Sequence, residues 1–120
     1  MDVDLLDAYL QKITQHQRKI VQLMYDAGGE WLTRAMVAKR LEKRRLTPYD
    51  INCLTLLSED GILVTDTQPT TAPGSDFAYI YTMEDDIAEI LQQWSTMQDT
   101  LNKNDTQKKT RRPINLADNK

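Results

Sequence analysis

Apolar side chains recur at three- and four-residue intervals through the first quarter of the chain, the spacing that gathers them on one face of an α-helix. Leu6, Leu10 and Ile13 form one such series, and Ile20, Leu23, Met24 and Ala27 form a second. The polar stretch TQHQRK separates them, with Thr14 and Gln17 at the spacing of a capping box. This pattern predicts an N-terminal arm over about 3–13 and a core helix over about 15–27, or one helix kinked between them. Gly28-Gly29 ends the run, because glycine accepts the left-handed conformation that closes helices. A short strand is expected in EWL, residues 30–32. Thr33 then caps a helix over roughly 34–44, which buries Met36, Val37, Ala38 and Leu41 and turns Arg34, Lys39, Arg40 and Lys43 outward.

The segment LTPYDINCLTLLSEDGILV, residues 46–64, carries the clearest local signals. Thr47 is a favoured cap, Pro48 occupies the first helical position, and Asp50 lies near the positive helix end. Ile51, Leu54 and Leu57 point inward along a helix of about 48–60, which Gly61 stops. The period then changes from helical to extended. ILVTD (62–66) and FAYIYTM (77–83) are rich in β-branched and aromatic residues, as a hairpin requires, and TQPTTAPGS reads as a mobile loop between them. A last helix follows the acids Glu84, Asp85 and Asp86. Its stripe of Ile87, Ile90, Leu91, Trp94, Met97 and Leu101 runs near heptad spacing. Residues 1–101 are thus expected as one domain: arm 3–13, core 14–83 and C-terminal helix 84–101. Residues 102–120 lack a sustained apolar face and are expected to be a disordered basic tail.

Charge changes the picture more than composition does. The net charge of −3 over 120 residues hides three regimes. Residues 1–45 hold nine Lys/Arg against six Asp/Glu, residues 46–102 none against ten, and residues 103–120 six against two. Such asymmetry concerns fields and partners rather than fold. No apolar run approaches the roughly 18–20 residues that span a bilayer, and the acidic start MDVDLLDAYL is unlike a secretory leader, so a cytoplasmic protein is expected.

Catalytic chemistry finds no foothold in the sequence. One histidine (His16) and one cysteine (Cys53) are too few for a structural zinc site, no glycine-rich phosphate loop follows a strand, and nucleophile, base and orienting group are not found together. His16 reads as a surface or interface residue, and Cys53 as a small hydrophobe within a helix. No enzyme, cofactor or metal is expected.

The order helix, short strand, helix, tight turn, helix, hairpin, helix is that of a winged helix-turn-helix, an α+β, mostly helical fold. The block from Ile13 to Val64 resembles regulators of the MarR/PadR-like type in five features: IT..Q, LT...VA..L, the RRLT turn, I..L..L...G and ILV. The resemblance implies that helix 48–60 enters the DNA major groove, presenting Pro48, Tyr49, Asn52, Cys53 and Leu56, with Tyr49 and Asn52 positioned for readout. It places backbone contacts on Arg34, Lys39, Arg40, Lys43, Arg44 and Arg45 beside the helix cap Thr47. The chain departs from such regulators in having Glu59, Asp60, Asp66 and Asp76, and no cation, late in that helix and along the hairpin. The apolar stripe of the last helix, joined to Leu6 and Leu10 of the arm, predicts a homodimer interface of Leu6, Leu10, Ile87, Ile90, Leu91, Trp94, Met97 and Leu101. The partners expected are therefore double-stranded DNA and a second copy. The alternative is a protein-interaction module, an adaptor or inhibitor that uses the acidic third helix and hairpin.

Overall fold

A computed structural model describes residues 1–71 and 73–98, together with Ile114 and Leu116. Its helices and strands follow the order α1 (Val3–Lys12), α2 (Gln15–Asp26), β1 (Leu32–Thr33), α3 (Arg34–Arg40), α4 (Pro48–Glu59), β2 (Leu63–Pro69), β3 (Phe77–Met83) and α5 (Asp85–Gln98). Leu101 and most of the segment from 102 onward lie outside the described residues.

Helix starts follow the local chemistry. Thr14 accepts from the Gln17 amide at 3.1 Å while the Gln17 side chain accepts from the Thr14 amide at 2.9 Å, so the polar gap ends α1 and begins α2. Thr33 and Thr47 cap α3 and α4 in the same way. Gly61 ends α4 at φ +84°, a conformation that costs glycine little, and the Ile62 amide returns to the Leu57 carbonyl at 3.0 Å.

β1 occupies Leu32–Thr33 rather than 30–32, and Met36 of α3 is exposed rather than buried. Besides these, two boundaries within the described residues differ from the expectation by three residues or more. Helix α3 stops at Arg40, four residues before the expected end. Glu42 adopts φ +64°, its amide donating to the Lys39 carbonyl and the Lys43 amide to the Ala38 carbonyl, both at 2.9 Å. This paired closure reverses the chain at a residue whose side chain disfavours the left-handed region. Glu42→Gly is expected to raise stability by about 0.5–1 kcal/mol, since relief of that strain outweighs the added freedom of the unfolded chain. Urea denaturation checks the gain. The second difference is β2, which continues through Thr67, Gln68 and Pro69 of the expected loop.

The three strands form one antiparallel sheet of order β1-β3-β2. β3 pairs along its whole length with β2, from Leu63↔Met83 to Pro69↔Phe77, while β1 pairs only through Leu32↔Tyr81 and Thr33↔Ile80. Pro69 ends an edge strand, where its missing donor leaves no interior ladder bond unmade. The core gathers Ile20 and Met24 of α2, Val37 of α3, Leu54 and Leu57 of α4, Ile62, and Leu91 of α5. Helix α5 packs against α1, and the Trp94 indole N–H donates to Asp7 Oδ1 at 2.9 Å. Arg18 of α2 donates to the Leu10 carbonyl, satisfying the end of α1. Ile114 and Leu116 also belong to this core, and the Leu116 amide donates to Gln22 Oε1 at 2.8 Å.

Candidate nucleic-acid interface

The turn between α3 and α4 is organised around one carboxylate. Asp50, the third residue of α4, is completely buried. Its Oδ2 accepts from the Thr47 amide at 2.8 Å, the Thr47 hydroxyl at 3.0 Å and Lys43 Nζ at 2.7 Å. Its Oδ1 accepts from Lys43 Nζ at 3.0 Å and lies 2.6 Å from His16 Nε2. With the carboxylate ionised, His16 must donate there. Burial alone would raise the Asp50 carboxyl, but hydrogen bonds from Lys43, Thr47 and His16 outweigh it and hold the group well below the usual carboxylate range. The His16 ring lies against Tyr49, centroids 5.2 Å apart and planes tilted by 31°. Three elements are thereby joined at the start of α4: α2 through His16, the turn through Lys43, and α4 through its cap.

The nominated nucleic-acid residues fall into four groups. Lys39, Arg40, Arg44 and Arg45 are exposed, as are Tyr49 (53 %) and Asn52 on the first turns of α4. Lys43 stands apart, because its ammonium is neutralised on Asp50 inside the turn. Arg34 turns to the sheet: its Nε–H donates to the Tyr81 hydroxyl at 2.9 Å and its guanidinium lies 4.4 Å over the Tyr79 ring. Thr47 is occupied in capping α4. Cys53, expected among the outward residues, is buried, and burial pushes its thiol up despite a lowering contribution from Tyr49. Leu56 is exposed.

The residues nominated for a second copy divide as well. Leu6, Leu10, Ile87 and Leu91 are buried by their own chain, and Ile90 and Trp94 pack against the same core. Met97 on α5 remains 54 % exposed, and Leu5 on α1 is 60 % exposed. Among the described residues no three His, Cys, Asp or Glu side chains gather as metal ligands, and no helix is long and apolar enough to cross a membrane.

His16 is the participant that the sequence conceals. Its partner lies 34 residues away, and a histidine in a polar gap carries no local sign of that contact. A cleft of about 550 Å³ between α4 and the hairpin is lined by Arg34, Thr55, Ser58, Glu59, Thr65 and Tyr79, among others.

Among the described residues, five helices around a three-stranded antiparallel sheet, with a tight turn joining α3 to α4, are compatible with a winged-helix type of fold. The arrangement is similar to the solved structure of a possible transcriptional regulator from Methanosarcina mazei Go1, with a TM-score of 0.53 and 18% sequence identity over 81% of this chain and 82% of that one. At that identity the likeness is one of fold. No family model and no curated protein matches the chain.

Proposed function

We propose that the chain is a DNA-binding transcription regulator that acts as a homodimer. α4 enters the major groove, Tyr49 and Asn52 meet base edges, and Lys39, Arg40, Arg44 and Arg45 hold phosphates beside it. The supporting observation is the division of labour at the turn. Asp50 neutralises one lysine and fixes the start of α4, while the other four cations stay exposed next to the exposed Tyr49 and Asn52. Phosphate contacts position a protein on duplex DNA and base contacts specify the sequence, so a reading helix without its own cations is workable when its neighbours carry them. Among the described residues, the exposed Leu5 and Met97 on the paired helices α1 and α5 are apolar positions left for a second copy, since Ile87, Ile90, Leu91 and Trp94 of the stripe face the chain's own core.

The test is a salt titration of binding to random-sequence duplex. Affinity is expected to fall linearly with salt on logarithmic axes, with a slope of about −0.9 for each phosphate contact. Replacing Lys39, Arg40, Arg44 and Arg45 together by glutamine is expected to reduce that slope by about three to four. Undetectable binding at about 50 mM salt overturns the proposal. Sedimentation of the same samples is expected to give a dimer, and a monomer for Leu5→Glu with Met97→Glu.

One observation favours a second reading, a protein-interaction module. Phe77 and Tyr79 are exposed on the hairpin, edge to face with centroids 5.4 Å apart, in a stretch of sequence whose own charges are all acidic, although Arg34 of α3 lies over Tyr79. Aromatic anchors are favoured at protein interfaces. The same titration separates the two, because a partner-binding hairpin gives no affinity for random duplex.

A further inference from the structure

The hairpin carries no lysine or arginine, yet a fixed cation lies against it. Arg34 opens α3, and β1 immediately before it pairs with β3 through Leu32↔Tyr81 and Thr33↔Ile80. That pairing brings Arg34 beside the face of β3 that carries Phe77, Tyr79 and Tyr81, which share one side by the two-residue alternation of a strand. The Tyr81 hydroxyl accepts from its Nε–H at 2.9 Å, and the Tyr79 ring supports the guanidinium at 4.4 Å. Its terminal nitrogens, four N–H donors, have no hydrogen-bond partner among the described residues, and the residue borders the cleft between α4 and the hairpin.

We propose that this cleft takes a phosphate of the DNA backbone, gripped by Arg34, with Tyr79 and Tyr81 as positioning residues. The inference rests on the DNA-binding reading above and names the contact that replaces the missing charge of the hairpin. The exposed ridge of α4 leads to the cleft: Asn52, Thr55, Leu56 and Glu59 follow one another at helical spacing, and Thr55 and Glu59 form part of the cleft wall. A backbone that follows α4 from Asn52 reaches Arg34. A guanidinium already held on an aromatic face presents its fork with little further loss of side-chain freedom, and arginine suits phosphate through paired donors. Glu59 is the opposing element, a carboxylate on the same wall that repels phosphate. The cleft therefore holds one fixed attractive charge and one removable repulsive one.

The experiment measures random-duplex affinity of the full chain by fluorescence anisotropy across a salt series, with melting curves confirming that each variant is folded. Arg34→Gln is expected to weaken binding several-fold and reduce the salt slope by about one. Tyr79→Leu with Tyr81→Phe is expected to weaken binding while keeping the slope, because the number of charges is unchanged but Arg34 loses its support. Glu59→Gln is expected to tighten binding a few-fold. Wild-type affinity and slope in Arg34→Gln, with the wild type itself binding, overturn this inference alone. Failure of the wild type to bind overturns the DNA reading and this inference together. Should Arg34→Gln melt early, Glu59→Gln decides: no gain in affinity on removing that carboxylate overturns the proposal.

Discussion

Asp50→Ala is expected to destabilise the fold by about 3 kcal/mol, because it leaves Lys43 and the amide of Thr47 without the acceptor around which they are arranged. The carboxylate is completely buried and takes hydrogen bonds from Lys43, from the amide and hydroxyl of Thr47, and from His16. Asp50 is the fully buried member of this network, while Lys43 and His16 keep partial contact with water, so the cost arises from the lost cap of α4 and from donors left without their acceptor at the turn. The loss also strips α4 of the carboxylate in its capping box. Urea denaturation of Asp50→Ala and Asp50→Asn checks the magnitude, with Asn expected to lose less because its amide oxygen still accepts. Chemical shifts of Tyr49 give an independent readout, because the ring rests on His16 and should move when His16 loses its anchor.

The same carboxylate fixes the direction of the pH dependence. Burial works against the charged form, yet the donors around it hold Asp50 below the ordinary carboxylate range. The native state therefore gives up this proton more readily than the unfolded chain, whose aspartates titrate near about 3.9. Stability from Asp50 is fully present above that value and is lost as pH falls from about 4 toward the lower native value. Wild-type stability is expected to fall on acidification through that range, and Asp50→Asn to fall less. Equal slopes in the two proteins would show that other carboxylates govern the acid limb.

Local signals were legible in the sequence, and long-range partnerships were not. Thr14, Thr33, Thr47, Pro48 and Gly61 act within a few residues of themselves, so the starts of α2, α3 and α4 and the stop of α4 follow from the chain alone. The end of α3 does not. LEKRR is good helix-forming sequence, but Glu42 turns left-handed so that Lys43 reaches Asp50, a contact that tertiary structure creates and propensity cannot anticipate. The stripe on α5 was legible as apolar, but apolar spacing does not say whether a helix faces its own chain or another. Leu6, Leu10, Ile87 and Leu91 face their own. Among the cations, sequence gave equal standing to Lys43 and Arg44. Their difference comes from a buried carboxylate seven residues after Lys43.

Leu116→Ala is expected to cost about 2–4 kcal/mol, the range for removing most of a buried leucine, although it lies in a segment whose composition suggests no fold. An isolated INL motif offers neither helical period nor strand alternation, so its contribution depends on a surface prepared elsewhere. Leu116 is 2 % exposed, Ile114 is buried beside the same core, and the Leu116 amide donates to the Gln22 side chain of α2 at 2.8 Å. Both apolar contact and backbone hydrogen bond therefore tie this segment to a helix 94 residues earlier in the chain. A chain ended before Ile114 should lose both side chains and expose the core they cover, with a larger drop in urea midpoint than Leu116→Ala alone. Gln22→Leu removes the acceptor for the Leu116 amide, together with the donor to Asp26, and keeps apolar bulk, while Asp26→Ala removes the second bond alone. A loss about 1 kcal/mol larger in Gln22→Leu measures the bond to Leu116. A truncated chain as stable as the full one would show that the core is complete without its C-terminal segment.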